Sequence, residues 1–111
     1  MRYTEEKRKQ IYLDAIKYWG EMAQFDQFIE ESCELIVAIN KYKRQKYYGE
    51  YENKPEIVDN LIEELADTMM CVELLCDMMG KDKVYNKLDE KFDKFSLQIE
   101  KAKEREKNKK V

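Results

Sequence analysis

Apolar residues recur along this chain in steps of three and four, the spacing that gathers side chains on one face of an α-helix. Ile11, Tyr12, Ala15, Ile16 and Trp19 make the first such face. With Thr4 placed to accept from the first free backbone amides, the spacing predicts a helix from about Glu5 to Trp19. Gly20 then marks a break or bend. A second helix follows to about Arg44, with Phe25, Phe28, Ile29, Ser32, Ile36 and Ile39 as its core stripe. Gly49, Asn53 and Pro55 predict a loop over about 45–55, and Pro55, whose ring presets a helical φ, suits the start of a third helix. That helix reaches Met79, with Gly80 as its stop. From near Asp82, Tyr85, Leu88, Phe92, Phe95, Ile99 and Ala102 alternate steps of three and four, a seam for packing on other helices. Beyond it KEREKNKKV has no apolar face, so residues 105–111 are expected to fray as a basic, solvated tail.

Only 3 Gly and 1 Pro occur in 111 residues, which favours long helices over turn-rich β architecture. The expected fold is all-α, a four-helix bundle, with residues 1–104 as a single domain. The third helix is apolar on nearly every side below its acids: Leu61, Leu65, Met69, Val72 and Met79 lie on one side, Cys71, Leu74 and Met78 on another. It is expected to be buried among several neighbours, and with the aromatic seam of the fourth helix it implies a homodimer or larger assembly.

The 21 basic and 24 acidic residues leave a net charge of -3, so no global positive field exists to draw nucleic-acid polymers or anionic membranes. No apolar run approaches the roughly 18 residues of a membrane span, and the start MRYTEEKRKQ lacks the core of an export signal. A cytoplasmic protein is expected. The three cysteines, Cys33, Cys71 and Cys76, sit in apolar helical stretches, where a thiol acts as a small hydrophobe. The chain has no histidine, which removes the usual zinc sites, Ser-His and Cys-His catalysis, and the Glu-x-x-His ligands of di-iron bundles.

Glu31 and Glu34 lie three apart on the second helix, and Glu64 and Asp67 three apart on the third. Each pair projects from one face, so antiparallel packing would bring all four carboxylates together. The same spacing also suits a solvated acidic face, but Glu64 and Asp67 continue into Cys71, Leu74 and Met78 along one stripe, which turns them toward a helix-lined recess. Hard oxygen ligands without His or Cys suit Mg²⁺, or Mn²⁺, with waters left for phosphates to displace. Gln24 and Gln27 continue the stripe of Glu31 and can read a base edge or sugar hydroxyl, or lie on plain surface. Trp19 and Phe25 are candidates to stack on a base, with core or interface as the alternative, and Lys41, Lys43 and Arg44 are candidates to meet phosphates, with solvated surface as the alternative.

At EESCEL and EELAD, the paired ExxE and ExxD, the chain resembles the MazG-like all-α NTP pyrophosphatase superfamily. The approach WGEMAQFDQFIEESCELIVAINKYKR is also similar, and the likeness covers roughly residues 10–100. The resemblance implies Mg²⁺-dependent hydrolysis of a nucleoside triphosphate between its α and β phosphates, by dimers or dimers of dimers that often clear unwanted nucleotides. It implies Glu31, Glu34, Glu64 and Asp67 as metal ligands, with Glu31 or Glu34 orienting the attacking water. It also implies a fourth-helix Lys on phosphate, for which Lys91 is the match, while Asp89 stands where an Asn is expected. The competing readings are a noncatalytic helical module that oligomerises or binds a protein, and a degenerate member that binds nucleotide without turnover.

Overall fold

A computed structural model describes residues 1–50 and 52–109, and among these every regular element is helical. The helices are α1 (Glu5–Trp19), α2 (Glu21–Lys43), α3 (Pro55–Met79) and α4 (Lys81–Lys109). The chain divides into two compact units, Met1–Asp77 with α1, α2 and nearly all of α3, and a second from Met78 onward with α4.

Local chemistry accounts for the helix ends. Thr4 Oγ1 accepts from Lys7 N–H at 3.2 Å, satisfying one of the free donors at the start of α1. Gly20 takes φ 90°, a backbone conformation L side chains rarely adopt, and thereby joins α1 to α2 through a single residue. The end of α2 differs from the expected loop. Arg44–Tyr48 form one wide π-helical turn, closed where Gly49 at φ 60° donates its N–H to Arg44 O. Gln45 holds the following segment against this turn, its Oε1 accepting from Lys54 N–H and its Nε2 donating to Asn53 Oδ1. Position 51 of that expected loop lies outside the described residues.

Among the described residues of the first unit, Tyr12, Ala38 and Leu74, one residue from each helix, are the buried apolar side chains. The expectation that α3 is buried among several neighbours is not met: Ile62, Leu65, Met69, Met70 and Val72 are exposed, Met69 by 71%. Two partner helices can cover only one side of a third, so the apolar residues on its other side stay in solvent within this unit. On α2, Ile29, Ile36, Val37 and Ile39 are likewise exposed.

In the second unit α4 is helical through Lys109, past the point where fraying is expected, and its seam residues Tyr85, Leu88, Phe92, Phe95 and Ile99 are exposed. The run is built from good helix formers, and Arg105 Nε donates back to Lys101 O. Residues 110 and 111 of the expected tail lie outside the described residues.

Candidate functional site

The acids come together on α2 and α3. Carboxylate oxygens of Glu31, Glu34 and Glu64 all lie within 4.8 Å of one another. Residues that share cavities descend along α2 as they ascend α3, Cys33, Glu34 and Val37 facing Asn60 and Glu64 in one, Ala23 to Glu31 facing Asp67 to Leu74 in the other. The two helices therefore run antiparallel, which is what lets the two i, i+3 pairs meet. Asp67 stands outside the tight group of three but beside it, sharing the larger cavity with Glu31.

This cavity, about 560 Å³, has a polar and an apolar part. Glu31, Asp67 and Gln27 supply the polar part, while Ile11, Tyr12, Trp19, Met70 and Leu74 line the rest. Gln27 Nε2 donates to Glu31 Oε1 at 2.8 Å, which fixes the carboxylate and leaves the glutamine carbonyl as an acceptor. Gln24 also lines the cavity, but its Nε2 points back to Ala15 O and Gly20 O at 3.4 and 3.5 Å, across the α1–α2 junction. Trp19 is on the wall and 69% exposed, with its ring edge-on to Tyr18. Phe25 lines neither cavity and is partly exposed. Lys41 and Lys43 are exposed at the far end of α2, Arg44 pairs with Glu50 at 3.5 Å, and Lys91 is exposed on α4.

Glu31 Oε2 and Glu64 Oε2 are shut off from solvent and have no hydrogen-bond partner. Two such oxygens facing like charges are costly without a cation, and an all-oxygen donor set fits a hard divalent ion such as Mg²⁺. The electrostatics run the same way. Burial, then the charges of Glu34 and Asp67, raise the Glu31 carboxyl above its ordinary value, against the opposing bond from Gln27. Glu64 is raised by burial, then by Glu34, Glu31 and Asp67. Cys71, one turn beyond Asp67, has its thiol pushed up by burial and then by Glu31 and Asp67.

A carboxyl raised on folding binds more protons folded than unfolded between its ordinary and its raised value, so folding stability falls as pH climbs through that window. In chelator, Glu64→Gln is therefore expected to melt higher than the unsubstituted protein at neutral pH, the difference closing as pH drops below the ordinary carboxylate range. Melting curves across that window check it; a gap that stays constant with pH would mean that no repulsion is being relieved.

Beyond Trp19, sequence reasoning did not anticipate the part that α1 plays. Ile11, Tyr12 and Ala15 line the cavity, and Glu73 on α3 joins to that helix through Arg8 and Tyr12. The available signal was Glu73 itself, a charge set inside the apolar run MMCVELLCDMM.

Residues 22–109 match the profile of the MazG nucleotide pyrophosphohydrolase domain, most of the chain. The chain belongs to the MazG family. Its all-helical architecture accords with that assignment. Comparison with curated proteins and with solved structures finds no significant match. Within the MazG match lie all four acids, both cavity glutamines and α4, while α1 precedes it. Among the described residues no helix is long and apolar enough to cross a membrane.

Proposed function

We propose that this MazG-family chain is a Mg²⁺-dependent pyrophosphohydrolase that converts a nucleoside triphosphate to its monophosphate and pyrophosphate. The observation that carries the reading is the meeting of Glu31, Glu34 and Glu64, with two buried oxygens unpartnered, beside a cavity whose other walls are apolar. Glu31, Glu34, Glu64 and Asp67 would hold the ion, with Mn²⁺ as the alternative occupant. A cation there supplies positive charge against the triphosphate and acidifies water. The chain's own groups do the remaining work. Glu31 and Glu34 orient the attacking water, Gln27 keeps Glu31 in place, and the apolar walls with Trp19 take the base and keep solvent out. Gln24 steadies the wall at the α1–α2 junction, and Gln27 offers its carbonyl to base or sugar. Pyrophosphate release from a panel of ordinary and modified nucleoside triphosphates, with and without Mg²⁺, tests it; release that ignores Mg²⁺, or none from any substrate, would reject it.

The proposal includes a cytoplasmic homodimer or dimer of dimers with residues 1–104 as its bundle domain. Its support is the exposed apolar surface of α2, α3 and α4, more than single chains usually leave in water. Light scattering at micromolar concentration is expected to report at least two chains, and a monomer there would contradict it. A purely noncatalytic oligomer would share those faces but has no use for the convergent acids.

A further inference from the structure

The wall that α1 gives the cavity is joined to α3 through Glu73. Arg8 Nε donates to Glu73 Oε1 at 2.5 Å, and Tyr12 Oη donates to the same oxygen at 2.9 Å. Arg8 Nη1 also reaches back to Tyr3 O at 2.9 Å, so the cation is fixed from two sides. Tyr12 is only 5% exposed and lines the cavity, whereas Arg8 and Glu73 do not line it. The ring thus serves as wall while its hydroxyl is spent on Glu73. Burial, then the bond to Glu73, pushes the Tyr12 hydroxyl up to about 12, so it stays a donor at any physiological pH.

We propose that Glu73, acting through Arg8 and Tyr12, is a positioning residue that sets the fit of the cavity for the base end of the nucleotide, without touching substrate or the acids. The proposal rests on the reading of the cavity as a nucleotide site. A charged hydrogen bond shared by two donors is stronger and more directional than a neutral one, and it spans α1 and α3 at the apolar part of the cavity. The four acids are supplied by α2 and α3 alone, so loosening α1 moves the wall that contains Ile11, Tyr12 and Ala15 and leaves the acids where they are. The consequence is a separation of effects, with weaker binding of the base and unchanged chemistry once substrate is bound.

Trp19 is the only tryptophan and lies on the cavity wall, so its fluorescence reports occupancy independently of turnover. The experiment titrates the full-length protein with a nucleoside monophosphate while following Trp19, and in parallel measures kcat and KM for the best-hydrolysed triphosphate. For Glu73→Ala and for Arg8→Met, Kd and KM are expected to rise by about tenfold, the scale of one charge-assisted hydrogen bond, with kcat within about twofold. Glu73→Gln keeps an acceptor for Tyr12 and is expected to recover part of the loss; Tyr12→Phe keeps the ring and is expected to lose less than Glu73→Ala. Circular dichroism of each variant identifies any that fail to fold, and Glu73→Gln and Tyr12→Phe, being nearly isosteric, carry the test if Glu73→Ala does not. Unchanged Kd and KM in folded variants overturn the positioning role and leave the hydrolase reading standing, as does a fall in kcat with KM unmoved. A wild-type protein that neither hydrolyses triphosphates nor shows quenching overturns both.

Discussion

Glu34→Gln and Asp67→Asn are each expected to lower Mg²⁺-supported pyrophosphate release by about three orders of magnitude while leaving the helices intact. Each swap keeps the shape of the side chain and removes a negative charge from the acidic group. Several kcal/mol of charge stabilisation at the phosphates depends on an ion being held there, and about 4 kcal/mol is a thousandfold in rate. Neither residue is in the buried core, so secondary structure should survive. The stability response separates a metal site from a merely acidic surface. Without metal both variants are expected to melt at or above the unsubstituted protein, because each removes a charge that raises Glu31 and Glu64. Added Mg²⁺ should then raise the melting temperature of the unsubstituted protein most, since binding to the folded state alone stabilises it by mass action. Equal responses to Mg²⁺ in all three proteins would remove the metal from the account.

The second large effect concerns which bond is cut. The chain has no GxxxxGK[ST] loop, the cradle of many enzymes that release the terminal phosphate, and it belongs to the MazG nucleotide pyrophosphohydrolase family. Monophosphate and pyrophosphate are therefore expected as the sole products. In water enriched in heavy oxygen, the label should appear wholly in the monophosphate, as attack at the α-phosphorus requires. Label confined to pyrophosphate would move the attack to the β-phosphorus. Release of inorganic phosphate with diphosphate would overturn the assignment altogether.

What was legible in the sequence was local or periodic. Thr4, Gly20 and Pro55 act within a turn of their own positions, and the observed bounds of α1 and α3 coincide with those that the pattern predicts. The meeting of the acids was also legible in outline, because two i, i+3 pairs on consecutive antiparallel helices converge when they face each other at the same height, as Glu31, Glu34 and Glu64 do. The π-helical turn at Arg44–Tyr48 was not legible, since it depends on Gln45 reaching eight and nine residues ahead to Asn53 and Lys54. The exposure of Met69 and Ile62 escaped for a different reason. Periodicity reports which residues are apolar, and the number of neighbours available to cover them belongs to the assembly. Hardest of all was Glu73, whose partners lie 61 and 65 residues away.

Gly20 gives α1 a particular kind of freedom. A helix is stiff along its axis, and this one meets α2 through a single residue, with no loop to absorb a sideways shift. Any displacement of α1 has to be a swing about the Gly20 end, in which the travel of each side chain grows with its distance from the pivot. Trp19, next to the pivot, would scarcely move, while Tyr12 and Ile11, two turns out, would travel by roughly 10 Å times the swing angle in radians. The cavity thus has a fixed corner and a sweeping edge, and a bulkier guest would be accommodated at the Ile11 end first. An alanine at Gly20 would meet no neighbouring atom, yet it would have to hold φ 90°, so the cost would fall on the pivot itself.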